Sequence, residues 1–351
     1  MKLLITCPKL KLLGGVANHY IGLRPYWNET VKYQEIGKRN NHNGSGKLWL
    51  LYDLIVFIKN LIFFKPDCVL LNPSIGKTAL KRDFLFQTIA NKLGFKTAIF
   101  IHGFNLQTFE ILNKDWLTKN LNKNILIFVL ANKFKKLLED IGVIAPIILS
   151  TTKVDDRLIE NFNISQKDFT NRELLFLSRV EKAKGIYETV EAFKILKNDY
   201  PDIKLRIVGD GSELNDVIKK IETEGIKDVI ATGTLKGSDV AKAYQDSLLL
   251  VLPSSHGEGM PTAVLEAMVF GLPVVTRPVG GLVDFFKNGK MGVMDETLDP
   301  RLIAANISPY LDNENLVMET AKYNHNYAIN NFMASKVANE MERQLLEKLN
   351  Q

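Results

Sequence analysis

Short apolar runs recur along the chain, each followed by a stretch in which apolar residues return at helical spacing. In the first half the runs are KLLITC (2–7), DCVLL (67–71), TAIFI (97–101), ILIFVL (125–130) and PIILS (146–150). In the second they are ELLFLS (173–178), KLRIVG (204–209), DVIATG (228–233), SLLLVLPS (247–254) and PVVT (273–276). Runs without polar alternation predict strands buried on both faces of parallel sheets, and the helical stretches between them predict crossovers. The scheme is interrupted by DDRLIENFNISQKDFTNR, which is polar and aperiodic, so a linker is expected near residues 160–171. The pattern predicts an α/β chain of two Rossmann-like parallel-sheet domains, 1–165 and 166–331, followed by a C-terminal helix over 332–351. SKVANEMERQLLEKL in that last segment is amphipathic, with Ser335 as the expected N-cap.

Length agrees with two domains, since 351 residues with 46% hydrophobic side chains exceed the roughly 250–300 at which single cores stop growing. The opening MKLLITC is broken by Pro8 and Lys9, too early for the ~7–15 apolar residues of a signal-peptide core, and a cytoplasmic location is expected. The two cysteines, Cys7 and Cys68, lie inside strand-like runs and read as small hydrophobes, with no disulfide framework or zinc spacing.

Charge is uneven. Residues 1–170 carry 24 basic and 13 acidic side chains, whereas the remainder carries 21 and 26. A basic half suits an anionic partner such as a phosphorylated lipid acceptor or a membrane surface, and equally suits a lysine-rich solvated face. LWLLYDLIVFIKNLIFF (48–64) is interrupted by Asp53, Lys59 and Asn60 and falls short of the roughly 20 apolar residues of a spanning helix. It fits either domain core or a membrane interface.

Ligands in open parallel sheets bind beyond the carboxyl ends of the strands, so the chemistry is sought there. After SLLLVLPS comes SHGEG, a turn with two glycines, then PTAVLEAMVF, a helix with Pro261 expected at its first position. Glu258 stands in the turn and Glu266 is the sole ionisable residue between Pro261 and Gly271. A carboxylate in so apolar a segment needs donors, which adjacent sugar hydroxyls supply; helix capping and an ion pair would also account for the two glutamates. ELLFLSRVEKAKG places Arg179 at a strand end and Lys184 at a helix start, an arrangement suited to a pyrophosphate or simply to a solvated basic turn. IVGDGSEL and ATGTLKG end their strands at Gly209 and Gly233, as turns or as places of close nucleotide approach.

SRVEKAKG, IVGDGSE, ATGTL and PSSHGEGMPTAVLEAMVFGLPVVTRPVGG, in this order and spacing, resemble the donor-binding half of the family-4 retaining glycosyltransferases of GT-B fold, over residues 173 to about 285. The resemblance implies two Rossmann-like domains facing a central cleft, with the C-terminal helix returning to the first domain. It implies that Arg179 and Lys184 hold the pyrophosphate of a nucleotide sugar, that Glu258 contacts the transferred sugar and that Glu266 takes the ribose hydroxyls. Gly259 and Met260 share the donor turn; Met260-Pro261 stands where many members have Phe-Gly, and proline removes one backbone donor there. More loosely, Gly14-Gly15 resembles the glycine turn facing donor phosphates, and His102 in IFIHGF the histidine near the transferred sugar; a histidine beside an apolar strand is also an ordinary core residue. IILSTTKVDD lacks the asparagine common in the family.

The resemblance implies transfer of a hexose-type sugar, UDP-linked in preference to GDP-linked, to a glycan or polyprenyl-linked acceptor in surface-polysaccharide synthesis. The transition state would be oxocarbenium-like, with charge growing on the departing phosphate. No Asp-x-Asp pair occurs in the chain, so no metal and no cofactor are expected, the nucleotide sugar being a substrate. On the functional reading of the basic half, a peripheral position on the inner membrane face is expected. Other readings are a sugar-nucleotide epimerase of similar fold and a non-catalytic nucleotide-sugar-binding protein. A nicotinamide dehydrogenase lacks its G-x-G-x-x-G, and the acidic second half without an aromatic-basic motif argues against nucleic acid.

Overall fold

The computed structural model describes residues 1–11, 14–37, 46–255, 257 and 259–351. The chain divides into two compact units. One comprises Met1–Lys153, Gly257–Met260 and Ala334–Gln351; the other comprises Val154–His256 and Pro261–Met333. The change of unit at Lys153/Val154 lies ahead of the expected 165. The polar segment beyond it forms 3-10 turns at Asp156–Ile159 and Ile164–Gln166, and Val154 is tied to the second unit by a bridge to Met333.

In the first unit the strands are β1 (Lys2–Cys7), β2 (Thr30–Glu35), β3 (Cys68–Leu71), β4 (Ser74–Ile75), β5 (Lys96–Ile101), β6 (Gly103–Phe104), β7 (Leu126–Val129) and β8 (Ile147–Leu149). Six form one parallel sheet in the order β2-β1-β3-β5-β7-β8, and β4 pairs with β6. Leu4, Val69, Ile99, Ile127 and Val129 join Phe57, Leu61, Phe84 and Phe86 from two covering helices, Gly46–Phe64 and Lys77–Lys92, in one buried cluster. That clustering explains the continuous apolar runs: β3 and β7 are buried at every position.

The second unit has β9 (Glu173–Leu177), β10 (Lys204–Val208), β11 (Val229–Gly233), β12 (Leu249–Leu252), β13 (Val274–Thr276) and β14 (Gly292–Met294). All pair in parallel in the order β11-β10-β9-β12-β13-β14. Counted within the unit this is the doubly wound order 3-2-1-4-5-6, whose strand order reverses between its first and fourth strands.

β2 and β14, each at a sheet edge, are absent from the apolar runs, whereas the other two edge strands, β8 and β11, fall within them. TVKYQE in β2 is buried at a single position, and β14 has three residues, of which the last two are half-buried.

The C-terminal helix begins at Ala334, so Ser335 sits inside its first turn. The helix belongs to the first unit, where buried Glu342 accepts hydrogen bonds from the backbone N–H of Asn28 (3.2 Å) and Glu29 (2.9 Å) and from Asn28 Nδ2 (3.1 Å). Glu342→Ala removes the acceptor and leaves those donors unpaired. It is expected to lower stability by about 2–3 kcal/mol, measurable as a drop in urea midpoint, whereas exposed Glu347→Ala should change it little.

Candidate functional site

In the second unit the reversal of strand order lies between β9 and β12, so the chain leaving these neighbours diverges and opens a crevice. Arg179 follows β9 and is exposed. Its Nη1 donates to Glu181 Oε1 at 2.5 Å, a surface pair of small net value that an incoming phosphate can replace. Lys182–Lys184 then forms a single 3-10 turn, and Gly185, with φ +79°, reverses the chain into the helix Ile186–Asp199. Glycine is required at 185 for two reasons: its φ is positive, and a Cβ would stand 2.6 Å from the Pro253 carbonyl oxygen just beyond β12. The same contact is fixed by Ser255 N–H donating to the Ala183 carbonyl at 2.8 Å, with the Ser255 hydroxyl at 3.2 Å. The two strand exits are thereby joined, and Lys184 is buried at the junction beside a helix N-terminus that has no side-chain cap.

Gly209 and Gly233 differ. Gly209 has φ +138° and a Cβ there would come within 1.9 Å of the Ser178 carbonyl oxygen, so this glycine lets the exit of β10 pack on that of β9 and its Cβ position is filled by backbone. This packing accounts for the glycine at 209 whether or not a nucleotide approaches its backbone. Gly233, with φ +69°, has nothing within 4 Å of its Cβ position.

Pro261 caps the helix Thr262–Val269 from the N-cap position, one residue before the expected place. Glu266 on that helix is half-buried, less enclosed than its buried neighbours Leu265 and Ala267. Tyr244 donates its hydroxyl to Glu266 Oε2 at 2.9 Å. Burial, reinforced by the Glu266 charge, pushes the Tyr244 phenol well above its ordinary range, which keeps it a donor. Glu258 lies outside the described residues.

The first unit has its own reversal, between β1 and β3. Gly14 and Gly15 lead from β1 into the helix Gly15–Leu23, with open space at both Cβ positions. Asn72 follows β3. Its Nδ2 donates to the Thr6 carbonyl at 2.8 Å and the Leu70 carbonyl at 3.3 Å, which orients the amide and turns Oδ1 outward as an acceptor. Oδ1 receives the Tyr20 hydroxyl and, at 3.0 Å, His102 Nε2. The buried carboxylate of Asp83 is paired with Arg82 at 2.6 Å. An amide oxygen only accepts, so His102 carries its proton on Nε2 and offers the Nδ1 lone pair. The imidazole is stacked on Phe100 at 3.9 Å and meets His19 edge-on at 5.0 Å. Some of its surface remains accessible, yet its enclosure pulls the pKa down to about 3, so it is neutral near neutral pH. Gly259 packs against this strand end: a Cβ there would lie 2.5 Å from the His102 carbonyl oxygen and 2.8 Å from Leu130 Cδ1. Met260 beside it is buried.

Of the expected residues, Arg179, Lys184, Gly209, Gly233 and Glu266 belong to the second unit, and Gly15, His102, Gly259 and Met260 to the first. Asn72, Tyr20, His19 and Tyr244 were not singled out from sequence. Asn72 directly follows a strand run, the position where ligands are sought; the aromatic partners carry no sequence signal.

Three comparisons bear on this geometry. Residues 159–328 match the family model of the glycosyl transferases group 1. The chain is 28% identical over 176 residues to spore coat protein SA of Bacillus subtilis, a match covering 48% of this chain and 47% of that protein, so it spans about half the length of that relative. It is 25% identical to the capsular polysaccharide biosynthesis glycosyltransferase CapM of Staphylococcus aureus, over 94% of this chain and 72% of that one. Anabaena HepE, solved in complex with UDP and glucose, superposes with a TM-score of 0.75 at 17% identity over 99% of this chain and all of that one. At that identity the likeness concerns the fold, which is of GT-B type.

Asn72→Asp replaces the neutral acceptor of His102 with a carboxylate. The His102 pKa is expected to rise from about 3 by roughly 1–3 units, read by ring-nitrogen NMR of histidine-labelled protein. In the parent, His102 should show the Nε2–H tautomer from pH 5 to 9.

Proposed function

We propose that this protein is a retaining glycosyltransferase that moves a hexose-type sugar from a nucleotide sugar, UDP-linked in preference to GDP-linked, to a glycan or polyprenyl-linked acceptor. The process served is cell-surface polysaccharide synthesis, at a cytoplasmic position peripheral on the membrane. The observation that carries the reading is the junction at the β9–β12 reversal, where Gly185 and Ser255 hold Lys184 beside an uncapped helix N-terminus, inside the very residues that match the glycosyl transferases group 1. HepE, with UDP and glucose, supports the uridine donor, and CapM the polysaccharide setting.

Each residue then has a physical task. Arg179 supplies a planar guanidinium and Lys184 a fixed ammonium to the pyrophosphate, and both gain as charge accumulates on the leaving phosphate. The N–H groups of the helix Ile186–Asp199 face the same charge. Glu266, held by Tyr244, accepts from the ribose hydroxyls. Glu258, with Gly259 and Met260, orients the transferred sugar, and neutral His102 accepts from a sugar hydroxyl at Nδ1. Gly15 and Gly233 give backbone access to the donor. Same-face attack, in which the departing phosphate takes the acceptor proton, gives retention. Metal independence belongs to this proposal, since fixed cations carry the phosphate charge and the chain has no Asp-x-Asp.

Thermal unfolding with UDP, GDP and NAD, each with and without EDTA, tests the donor reading. UDP at ~100 times its Kd should add ~2.7 kcal/mol, unchanged by EDTA. Arg179→Ala, at an exposed position, should weaken UDP about tenfold or more through loss of a charged hydrogen bond while leaving the ligand-free midpoint in place. Glu258→Ala should abolish transfer in a folded protein. No stabilisation by UDP or GDP, or stabilisation by NAD alone, would overturn the reading.

A further inference from the structure

The helix Gly46–Phe64 wears its amphipathicity reversed. Its polar residues Asp53 and Asn60 are buried: Asp53 Oδ2 accepts the Gly37 N–H at 2.9 Å, its carbonyl accepts Gln34 Nε2 at 2.9 Å, and Asn60 Nδ2 donates to Gln34 Oε1 at 2.9 Å. The helix is thus pinned by polar bonds to β2 and the turn after it, together with the apolar contacts of Phe57 and Leu61. The opposite face is apolar and open. Leu48, Leu51, Tyr52, Ile55, Ile62 and Phe63 expose 53–77% of their surface, at the spacing of a single helical stripe about 22 Å long. Soluble monomers rarely present so continuous an apolar patch unless something covers it.

Charge identifies the cover. Among the described side chains of the stripe the one charged residue is Lys59, and Lys65 follows the helix end; both are exposed. Lys2 and Lys32 reach over the ring of Phe64 at 6.0 and 5.6 Å. Residues 46–96, which form this helix, β3 and the neighbouring helix, contain eight basic and three acidic side chains. Two of those acids, Asp53 and Asp83, are buried, and the third, Asp67, accepts the Lys2 N–H. No helix among the described residues is long and apolar enough to cross a membrane. A straight apolar stripe bordered by lysines matches a lipid surface with anionic head groups, into which the stripe sinks while the lysines meet phosphate.

We propose that the exposed face of the helix Gly46–Phe64 is a docking surface for anionic membrane, lying in the interface plane. The inference deepens the peripheral placement proposed above. It is read without turnover, so its failure is distinct from failure of the donor assignment.

The test is flotation of the full chain with phosphatidylcholine vesicles, with and without phosphatidylglycerol, at low and high salt. The parent should float with the phosphatidylglycerol vesicles, at least tenfold more than with phosphatidylcholine alone, and high salt should reduce the difference. The double variant Ile55→Glu/Phe63→Glu, both positions exposed, should lose binding at least tenfold while keeping its unfolding midpoint and its UDP stabilisation. Lys59→Glu/Lys65→Glu should lose the phosphatidylglycerol preference. Failure of the parent to float, or equal flotation of the Ile55→Glu/Phe63→Glu variant, overturns the proposal. So does sedimentation as a dimer that this variant converts to monomer without any vesicle binding by the parent.

Discussion

The constraint on which both units depend is that parallel strands all end on one side of their sheet. Each strand must release its chain at the same edge, and where the order of strands reverses, two neighbouring chains depart in opposite directions and cannot fill the space between them. In the second unit β9 and β12 are those neighbours, and the sequence spends its special residues there: Gly185 to permit contact with the Pro253 carbonyl, Ser255 to hold it, Lys184 at the point of contact. In the first unit β1 and β3 take that place, and Asn72 ties the two exits by donating to the Thr6 carbonyl. The same amide then determines which nitrogen of His102 is protonated. In each unit the bond that closes the fold at the reversal also positions the group offered to a ligand.

The sequence made the interior of this fold legible and left two of its four sheet edges, β2 and β14, obscure. Strands covered on both faces must be apolar throughout, so β1, β3, β5, β7, β9, β10 and β12 can be read as runs. β2 has water on one side and polar partners on the other, including Gln34 against Asn60, so its composition resembles that of a loop. Side-chain chemistry divides in the same way. Arg179 and Lys184 are visible because their positions after a strand suffice to suggest an anion. The state of His102 is invisible because it rests on Asn72, which is thirty residues away in the chain and is oriented by two backbone carbonyls. Gly209 and Gly233 look alike in sequence, both glycines at strand ends; only the Ser178 carbonyl, 1.9 Å from the place of one Cβ and absent from the other, separates a packing requirement from an open site.

The helix Gly46–Phe64 shows why composition alone left two readings of the segment standing. Its interruptions, Asp53 and Asn60, argue against a spanning helix and suggest a polar face turned to water. Instead those two side chains satisfy β2 and the turn after it, where unpaired backbone and amide groups would be costly. Once the polar residues are committed inward, the remaining circumference is apolar whatever it faces. A helix anchored by hydrogen bonds does not need its outer face for stability, which leaves that face free to be selected for contact with something else. The excess of base over acid in residues 1–170 then acquires a location: around this face the lysines are exposed while two of the three acids are buried, so the net charge presented outward exceeds what the count of residues conveys.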